Sequence, residues 1–310
     1  MAEHAVYFAS EAQMRRYKAQ KIITQVLLYG FLTLMGLFIV IPFYYMIITS
    51  FKSTDAYNAE VLNGQLNLLL TSKNFSFEQY VKVMGKSGDF GIFYLNTIYT
   101  AVCSTIFTVV TSVLAAFAFA RINFKGKDLI FTILLGTMMI PGEMMMITNF
   151  QTTMALNWKD TFAALIFVHG VSVFYIFYLR QTFQQIPNEL FLAAKVDGYG
   201  HFAYLWKCMI PIAMPTIVTI MILSLMGAWN AYIWPQLVAS GKHPWLFGDK
   251  VHDMHLVSNG LMAKFQSTEF VSDDPAKVTG SLFATIPLFI FFLIFRKYIM
   301  RGVSRSGIKG

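Results

Sequence analysis

Six apolar runs dominate this chain of 310 residues. Each is near or above the roughly eighteen residues at which a helix becomes long enough to cross a bilayer. They fall at 22–48, 94–120, 129–150, 162–179, 212–234 and 281–295. The last is short in its strictly apolar part and reaches spanning length by using Lys297 or Arg301 as a snorkelling end. With 56% hydrophobic and 13% charged residues, an ordinary soluble domain is excluded. The first run lacks the short apolar core and small-residue cleavage site of a signal peptide, so it is expected to be retained. The expected fold class is an all-α integral membrane protein with six transmembrane helices. Its organisation is a tail over 1–21, a membrane domain over 22–300 and a second tail over 301–310.

Lysine and arginine in the short connections set orientation. Arg15, Arg16, Lys18 and Lys21 precede the first run, and Arg121, Lys125 and Lys127 follow the second. Arg180, Lys195 and Lys207 surround the segment after the fourth, and Arg296, Lys297, Arg301, Arg305 and Lys309 follow the sixth. Six crossings put all four groups on one side, while the connection between the third and fourth runs carries only Lys159. Both termini are therefore expected in the cytoplasm. This asymmetry accounts for the net charge of +8 without any nucleic-acid partner.

The segment 186–215, IPNELFLAAKVDGYGHFAYLWKCMIPIAMP, is a polar, helix-forming island between apolar runs. Pro187 suits a helix start, where a missing N–H costs nothing. Leu190, Ala193, Ala194 and Asp197 fall three and four apart and are expected on one face. Gly198 suits a left-handed helix stop, a second helical run follows, and Pro211 and Pro215 mark re-entry into apolar sequence. Two small alanines beside Asp197 would let a partner surface approach closely.

Two long loops are expected on the outer side, 51–92 and 235–280. In the first, Ser76 and Gln79 have capping-box spacing, and Phe77, Tyr80, Val81 and Met84 form an apolar stripe on a short helix. The second reads as polar and irregular, with Trp245, Leu246, Phe247 and Phe265 marking it as contact-making. Cys103 and Cys208 fall on different levels and should not pair.

No nucleotide, metalloprotease, thiol-redox, serine-hydrolase or dinucleotide motif is present. The fragment Met84-Gly85-Lys86-Ser87 resembles the end of a phosphate-binding loop, but Tyr80 replaces the first glycine. Glu143 in the third run and His169 in the fourth are candidates for a solute path, because ionisable groups at membrane depth are costly and tend to be functional. Asn230, among Trp229, Tyr232 and Trp234, offers a polar group beside aromatic surfaces on which a sugar could stack. Asp249, His252, Asp253 and His255 are the nearest approach to a metal or catalytic cluster.

Residues 186–215 resemble the signature loop of binding-protein-dependent ABC importer permeases: two alanines, three residues, a glycine, then about a dozen residues to a proline. Ala193, Ala194, Asp197, Gly198, Ile210, Pro211 and Pro215 carry that spacing. Phe77 to Tyr80, Asn96-Thr97, Pro141, Glu143, Tyr178-Leu179-Arg180-Gln181, Ile186-Pro187, Glu189-Leu190, Trp229-Asn230, Pro235 and the ending Gly307-Ile308-Lys309-Gly310 extend the likeness to the carbohydrate-uptake, MalG-like branch. The resemblance covers the chain from about Gln20 to Gly310.

It implies a type I ABC importer permease fold with a cytoplasmic coupling-helix loop, in a bacterial cytoplasmic membrane. It further implies a second, MalF-like permease, two ATP-binding subunits, an extracellular or periplasmic solute-binding protein and a carbohydrate substrate. ATP and magnesium would sit on the partner ATPase, with no cofactor and no catalytic residue on this chain. Coupling would run through Glu189, Leu192, Ala193, Ala194, Asp197, Gly198 and Pro211. The family's glutamate before the alanine pair is Leu192 here, which cannot form a salt bridge, so docking is expected to lean on apolar contact and Asp197, with Glu189 one turn earlier. A permease for a non-sugar solute and an ion-coupled carrier stay open as alternatives.

Overall fold

The computed structural model describes residues 11–64, 67–72, 74–85, 89–244, 251–266 and 273–304. The chain divides into two compact units, Met1–Gln79 and Tyr80–Gly310.

In the first unit, α1 (Glu11–Ser50) contains the whole first apolar run, with Pro42 inside it. Its apolar side chains are exposed on every side: Leu27, Phe38 and Ile39 are each more than half exposed. A helix apolar all round belongs in a membrane or a large core. The chain then folds on a polar knot. Lys52 is 1% exposed and Glu60 9%. Lys52 Nζ donates to the Glu60 carboxylate and to the Asn67 carbonyl at 2.6 Å. Glu60, on α2 (Thr54–Leu62), also accepts from Asn67 N and Nδ2 at 3.3 Å and from Asn74 Nδ2 at 3.4 Å. Helix α3 (Glu78–Met84) forms where the stripe predicts it. Phe77, Val81 and Met84 are exposed and Tyr80 is half-buried. The capping box does not form. Gln79 is fully buried and donates instead to the Lys52 carbonyl at 3.2 Å and Thr54 Oγ1 at 3.0 Å, leaving Ser76 Oγ to accept from Glu78 N. The polar knot outcompetes a local cap.

The second unit is built on α4 (Asp89–Arg121), a 33-residue helix containing the second run. After it come α5 (Lys127–Thr137) and α6 (Gly142–Ala155), then α7 (Phe162–Ile166), α8 (Val173–Gln184) and α9 (Asn188–Val196). Helix α10 (His201–Tyr204), a π-helical turn (Leu205–Met209) and α11 (Ile210–Asn230) follow. Then come α12 (Ile233–Val238), strands β1 (Lys242–Pro244) and β2 (Val251–Asp253), α13 (Val257–Phe265) and α14 (Asp274–Ser304). Val113, Ala116 and Phe117 of α4 share one core with Leu179 and Phe183 of α8 and Ala213, Ile217 and Ile220 of α11. A second core joins Phe162, Leu165 and Ile166 to Trp234, Val238, Met254 and Leu256.

Among the described residues, four helices are long and apolar enough to cross a membrane, and a fifth crossing results if the bent pair α5–α6 is one span. The third expected run is therefore not one straight helix: α5 and α6 meet at 98°. The break ends at Pro141, which has no N–H to donate and disfavours helical backbone in the residue before it. The fourth run is also interrupted, between α7 and α8. Gly170 lies in this gap, where a Cβ would stand 2.1 Å from Phe107 Cδ1.

The loop 235–280 is more ordered than its polar composition suggests. It holds α12, an antiparallel hairpin pairing Lys242 with Asp253, and α13. Asn96, fully buried on α4, donates to the carbonyls of Asp253 and His255 at 2.8 and 3.0 Å. Asn259 Oδ1 accepts from Leu256 N at 2.7 Å while its Nδ2 donates to the Ala239 carbonyl at 2.9 Å. Buried amides thus replace the regular ladder that the composition lacks. The hairpin adds two short strands to a chain that is otherwise mostly helical, as expected. Trp245, Leu246, Phe247, Asp249, Lys86, Ser87 and the ending 307–310 lie outside the described residues. Helix α14 continues through Arg301 to Ser304, past the expected start of the tail.

Burial alone would raise the Glu60 pKa, but hydrogen bonds from Lys52, Asn74 and Asn67 and the Lys52 charge bring it below its ordinary 4.5. A depressed carboxylate pKa stabilises the fold above the unfolded value, and that contribution is lost as pH falls through the folded value. The protection factor for hydrogen exchange over 54–62 in the detergent-solubilised protein, corrected for the intrinsic pH dependence of exchange, should therefore be constant above about pH 4.5 and fall below it. Lys52→Met, which strands a buried carboxylate, should cost about 3–5 kcal/mol and abolish that protection at neutral pH.

Candidate functional site

The island is a helix with a defined stop. The Tyr199 N–H reaches the Ala194 carbonyl at 2.8 Å and the Gly198 N–H reaches the Lys195 carbonyl at 3.1 Å, with Gly198 at φ +81. These are the paired 6→1 and 5→2 bonds of a Schellman stop. Arg121, the last residue of α4, anchors the other end. It donates to the carbonyls of Phe183 at 2.9 Å and Ile186, and to Asn188 Oδ1 at 3.3 Å. Arg180 adds a second tie, donating to the Phe119 carbonyl at 3.2 Å while stacking over Phe131 at 4.0 Å.

Glu189, Leu190, Leu192, Ala193, Asp197, Gly198 and Pro211 are exposed. Ala194 is not: at 5% exposure it packs in the core with Tyr204 and Ile186, with Phe191 alongside. The face predicted to hold Leu190, Ala193, Ala194 and Asp197 together is split, because Phe191 draws its side of α9 inward and takes Ala194, three residues on, with it. What remains outward is Leu190, Ala193 and Asp197, flanked by Leu192 at 54% and Val196 at 88% exposure. Beyond the stop, Pro211 lacks the N–H that would bond the Lys207 carbonyl and crowds it; the turn before it is π-helical.

A cavity of about 310 Å³ lies within the second unit. Helix α4 contributes Thr100, Ser104 and Thr108, which recur every fourth residue and so share one face. The α7–α8 break and the start of α8 contribute His169, Ser172 and Tyr175; α11 contributes Ser224, Gly227 and Ala228; and Ala231, Trp234, Pro235, Leu165 and Leu256 complete the wall. His169 meets the Trp234 ring edge-on at 5.0 Å, and the Trp234 indole N–H is taken by the Ala164 carbonyl at 3.0 Å. Thr111 Oγ1 lies 3.1 Å from the Gly170 carbonyl and shares its one proton among that oxygen and the Phe107 and Thr108 carbonyls at 2.9 and 3.0 Å, bringing the broken backbone against α4. Thr100 is 4% exposed, and its Oγ1 has no hydrogen-bond partner among the described residues.

Of the solute-path residues read from the sequence, His169 lines this cavity and the others stand apart. Glu143 is exposed in the first turn of α6. Trp229 donates to the Ala284 carbonyl at 3.3 Å, Asn230 is exposed and bonds back to the Met226 carbonyl at 3.0 Å, and Tyr232 is 38% exposed. The hydroxyl residues were missed. Their signal was the four-residue repeat of Thr100, Ser104 and Thr108 inside an otherwise apolar run. In the loop 235–280 Asp253 pairs with His255, and among the described residues no group of three His, Cys, Asp or Glu could hold a metal ion.

Residues 108–305 match the family described as binding-protein-dependent transport system inner membrane component. The chain belongs to this family. It is thus a membrane protein, as its apolar helices indicate. It is 27% identical over 297 residues to the arabinooligosaccharides transport system permease protein AraQ of Bacillus subtilis, covering 96% of this chain and 100% of that protein. It is 28% identical to the trehalose/maltose transport system permease protein MalG of Thermococcus litoralis, covering 94% and 99%. Its fold is similar, at TM-score 0.74 and 23% identity over 94% of this chain and 99% of the other, to a chain of a crystal structure of a bacterial ABC transporter involved in the import of the acidic polysaccharide alginate.

The break beside His169 tolerates no side chain at Gly170 as packed. Gly170→Ala should cost about 1–3 kcal/mol through overpacking against Phe107. Phe107→Ala in the same chain should return part of that loss. Thermal unfolding of the single and double variants measures the coupling.

Proposed function

We propose that this chain is the transmembrane permease subunit of an ATP-driven, binding-protein-dependent importer of carbohydrates. It forms half of the translocation pathway and couples to a separate ATPase through residues 186–215. The observation that carries the coupling role is the doubly anchored α9. Its stop is locked by Gly198, its start is held by Arg121, and its outward face is free for a partner. Membership of the family supports the importer reading, and the named solutes of AraQ and MalG support a carbohydrate.

In this reading six segments cross the bilayer, with α5–α6 and α7–α8 as the two broken crossings. Both termini and the island face the cytoplasm. A second permease completes the pathway, two ATP-binding subunits carry ATP and magnesium, and an external binding protein delivers solute. ATP binding biases a two-state rocking of the spans. Motion of the island reaches the spans because Arg121 ties Ile186 and Asn188 to the end of α4, while Arg180 braces α8 against α4. Leu192, with Leu190 and Val196, makes this contact mainly apolar. Glu189 and Asp197 add charge at its edges. Glu143, Trp229, Asn230 and Tyr232, which stand apart from the cavity, remain pathway candidates.

Gly198→Val tests the coupling. A left-handed conformation costs an L residue about 1–2 kcal/mol, about tenfold in a docking equilibrium. ATP hydrolysis stimulated by solute-loaded binding protein should fall accordingly, while the four kinds of subunit still copurify. Full stimulation in a normally assembled complex would count against the island as the coupling element.

A further inference from the structure

We infer that the cavity beside Trp234 is itself a solute site, and that it accepts an uncharged, polyhydroxylated molecule rather than an acidic one. The inference rests on the importer reading and narrows it. Similarity leaves the choice open, since AraQ is named for arabinooligosaccharides while the structural neighbour imports an acidic polysaccharide.

The lining chemistry separates the two. Thr100, Ser104, Thr108, Ser172 and Tyr175 bring hydroxyls to the wall, and no aspartate, glutamate, lysine or arginine lines it. Hydroxyls both donate and accept, which matches a solute whose own groups are hydroxyls. A carboxylate entering the same space would shed its hydration with no fixed cation to replace it, and burying an uncompensated charge is far costlier than burying a hydrogen-bonded hydroxyl. Trp234 is 6% exposed with its N–H already used, so it offers the cavity only its ring. With Pro235 and Leu256, that ring supplies the apolar side that the C–H face of a sugar needs.

Thr100 is the second, independent pointer. Its buried Oγ1 has no partner among the described residues, and a buried polar atom left unmatched costs about 1–3 kcal/mol. That Oγ1 has almost no accessible surface as packed, so a hydroxyl bound in the cavity would satisfy it through a rotation about the Thr100 Cα–Cβ bond. The volume of about 310 Å³ falls at the lower end of the roughly 300–1,000 Å³ of ligand pockets. His169, edge-on to Trp234, is the polar group best placed to fix the solute's orientation.

The test uses the full complex with its partner permease and ATPase, purified without the binding protein so that the binding protein's selectivity is removed. The probes are radiolabelled neutral trisaccharides (maltotriose and arabinotriose) and the trisaccharide of galacturonate. Equilibrium retention should be seen for a neutral probe and be at least tenfold weaker for the uronate. His169→Phe should weaken neutral retention by tenfold or more and His169→Gln by less than threefold, with Ser104→Asp weakening it in a second position should the histidine variants fail to assemble. Uronate retention equal to or above neutral retention would overturn the inference, as would failure to retain any probe in a complex that transports one of them. Uptake into proteoliposomes with the binding protein separates the two readings. A complex that carries only uronates sinks this inference and leaves the carbohydrate importer standing. One that carries amino acids or peptides and no sugar sinks the importer reading itself.

Discussion

A backbone polar group in hydrocarbon has no water to turn to, so every interruption of a membrane helix must be satisfied by protein. The second unit is arranged around that constraint. Its interrupted apolar run, between α7 and α8, exposes carbonyls and N–H groups that a straight helix would have paired. Thr111 offers the Gly170 carbonyl a shared proton, Trp234 takes that of Ala164, and Ser172 caps α8 by accepting from Tyr175 N. The cavity exists because these repairs hold the chain open beside α4 instead of letting it close into a continuous helix. The polar groups that line it are what an unbroken apolar packing could not have accommodated.

The same logic explains the loop 235–280. A segment with few strand or helix formers would leave its backbone unpaired beside the membrane. Asn96, Asn259 and Thr97 supply the missing partners from within the packed body: the Val257 N–H, for example, finds Thr97 Oγ1 at 2.8 Å. Asp160, at φ +57, does likewise for the end of α12, accepting from Ser240 N and Gly241 N at 3.0 and 2.7 Å. Short polar side chains tolerate the left-handed region better than most, which is why a turn of this kind falls on an aspartate.

Much of this was legible in the residues. Apolar run length located the four long helices, and the Pro187 to Gly198 punctuation located α9 and its stop. Breaks were harder. Pro141 announced one, but nothing local announced the gap at 167–172, where Gly170 is demanded by the ring of Phe107, a residue far away in sequence. The inward turn of Ala194 depended on Phe191 competing for the same core, and periodicity alone cannot rank two overlapping faces. The lost capping box at Gln79 had the same origin: a buried partner, Lys52, whose proximity only the fold reveals. The cavity hydroxyls were visible as a repeat, yet Ser and Thr recur in membrane helices for packing reasons, so the repeat acquired meaning only when the wall opposite it was seen.

Arg121 has a consequence for how the protein is made. Its three acceptors lie on residues 183, 186 and 188, more than sixty positions later in the chain. When the ribosome has delivered α4, the guanidinium at its end has none of them. It stays solvated at the membrane surface until α8 and the start of α9 arrive. The clamp is therefore a delayed assembly step: only a chain synthesised past Asn188 can close the joint between the end of α4 and the start of the island. A truncated or stalled product carries an open arginine where the finished protein carries a closed joint.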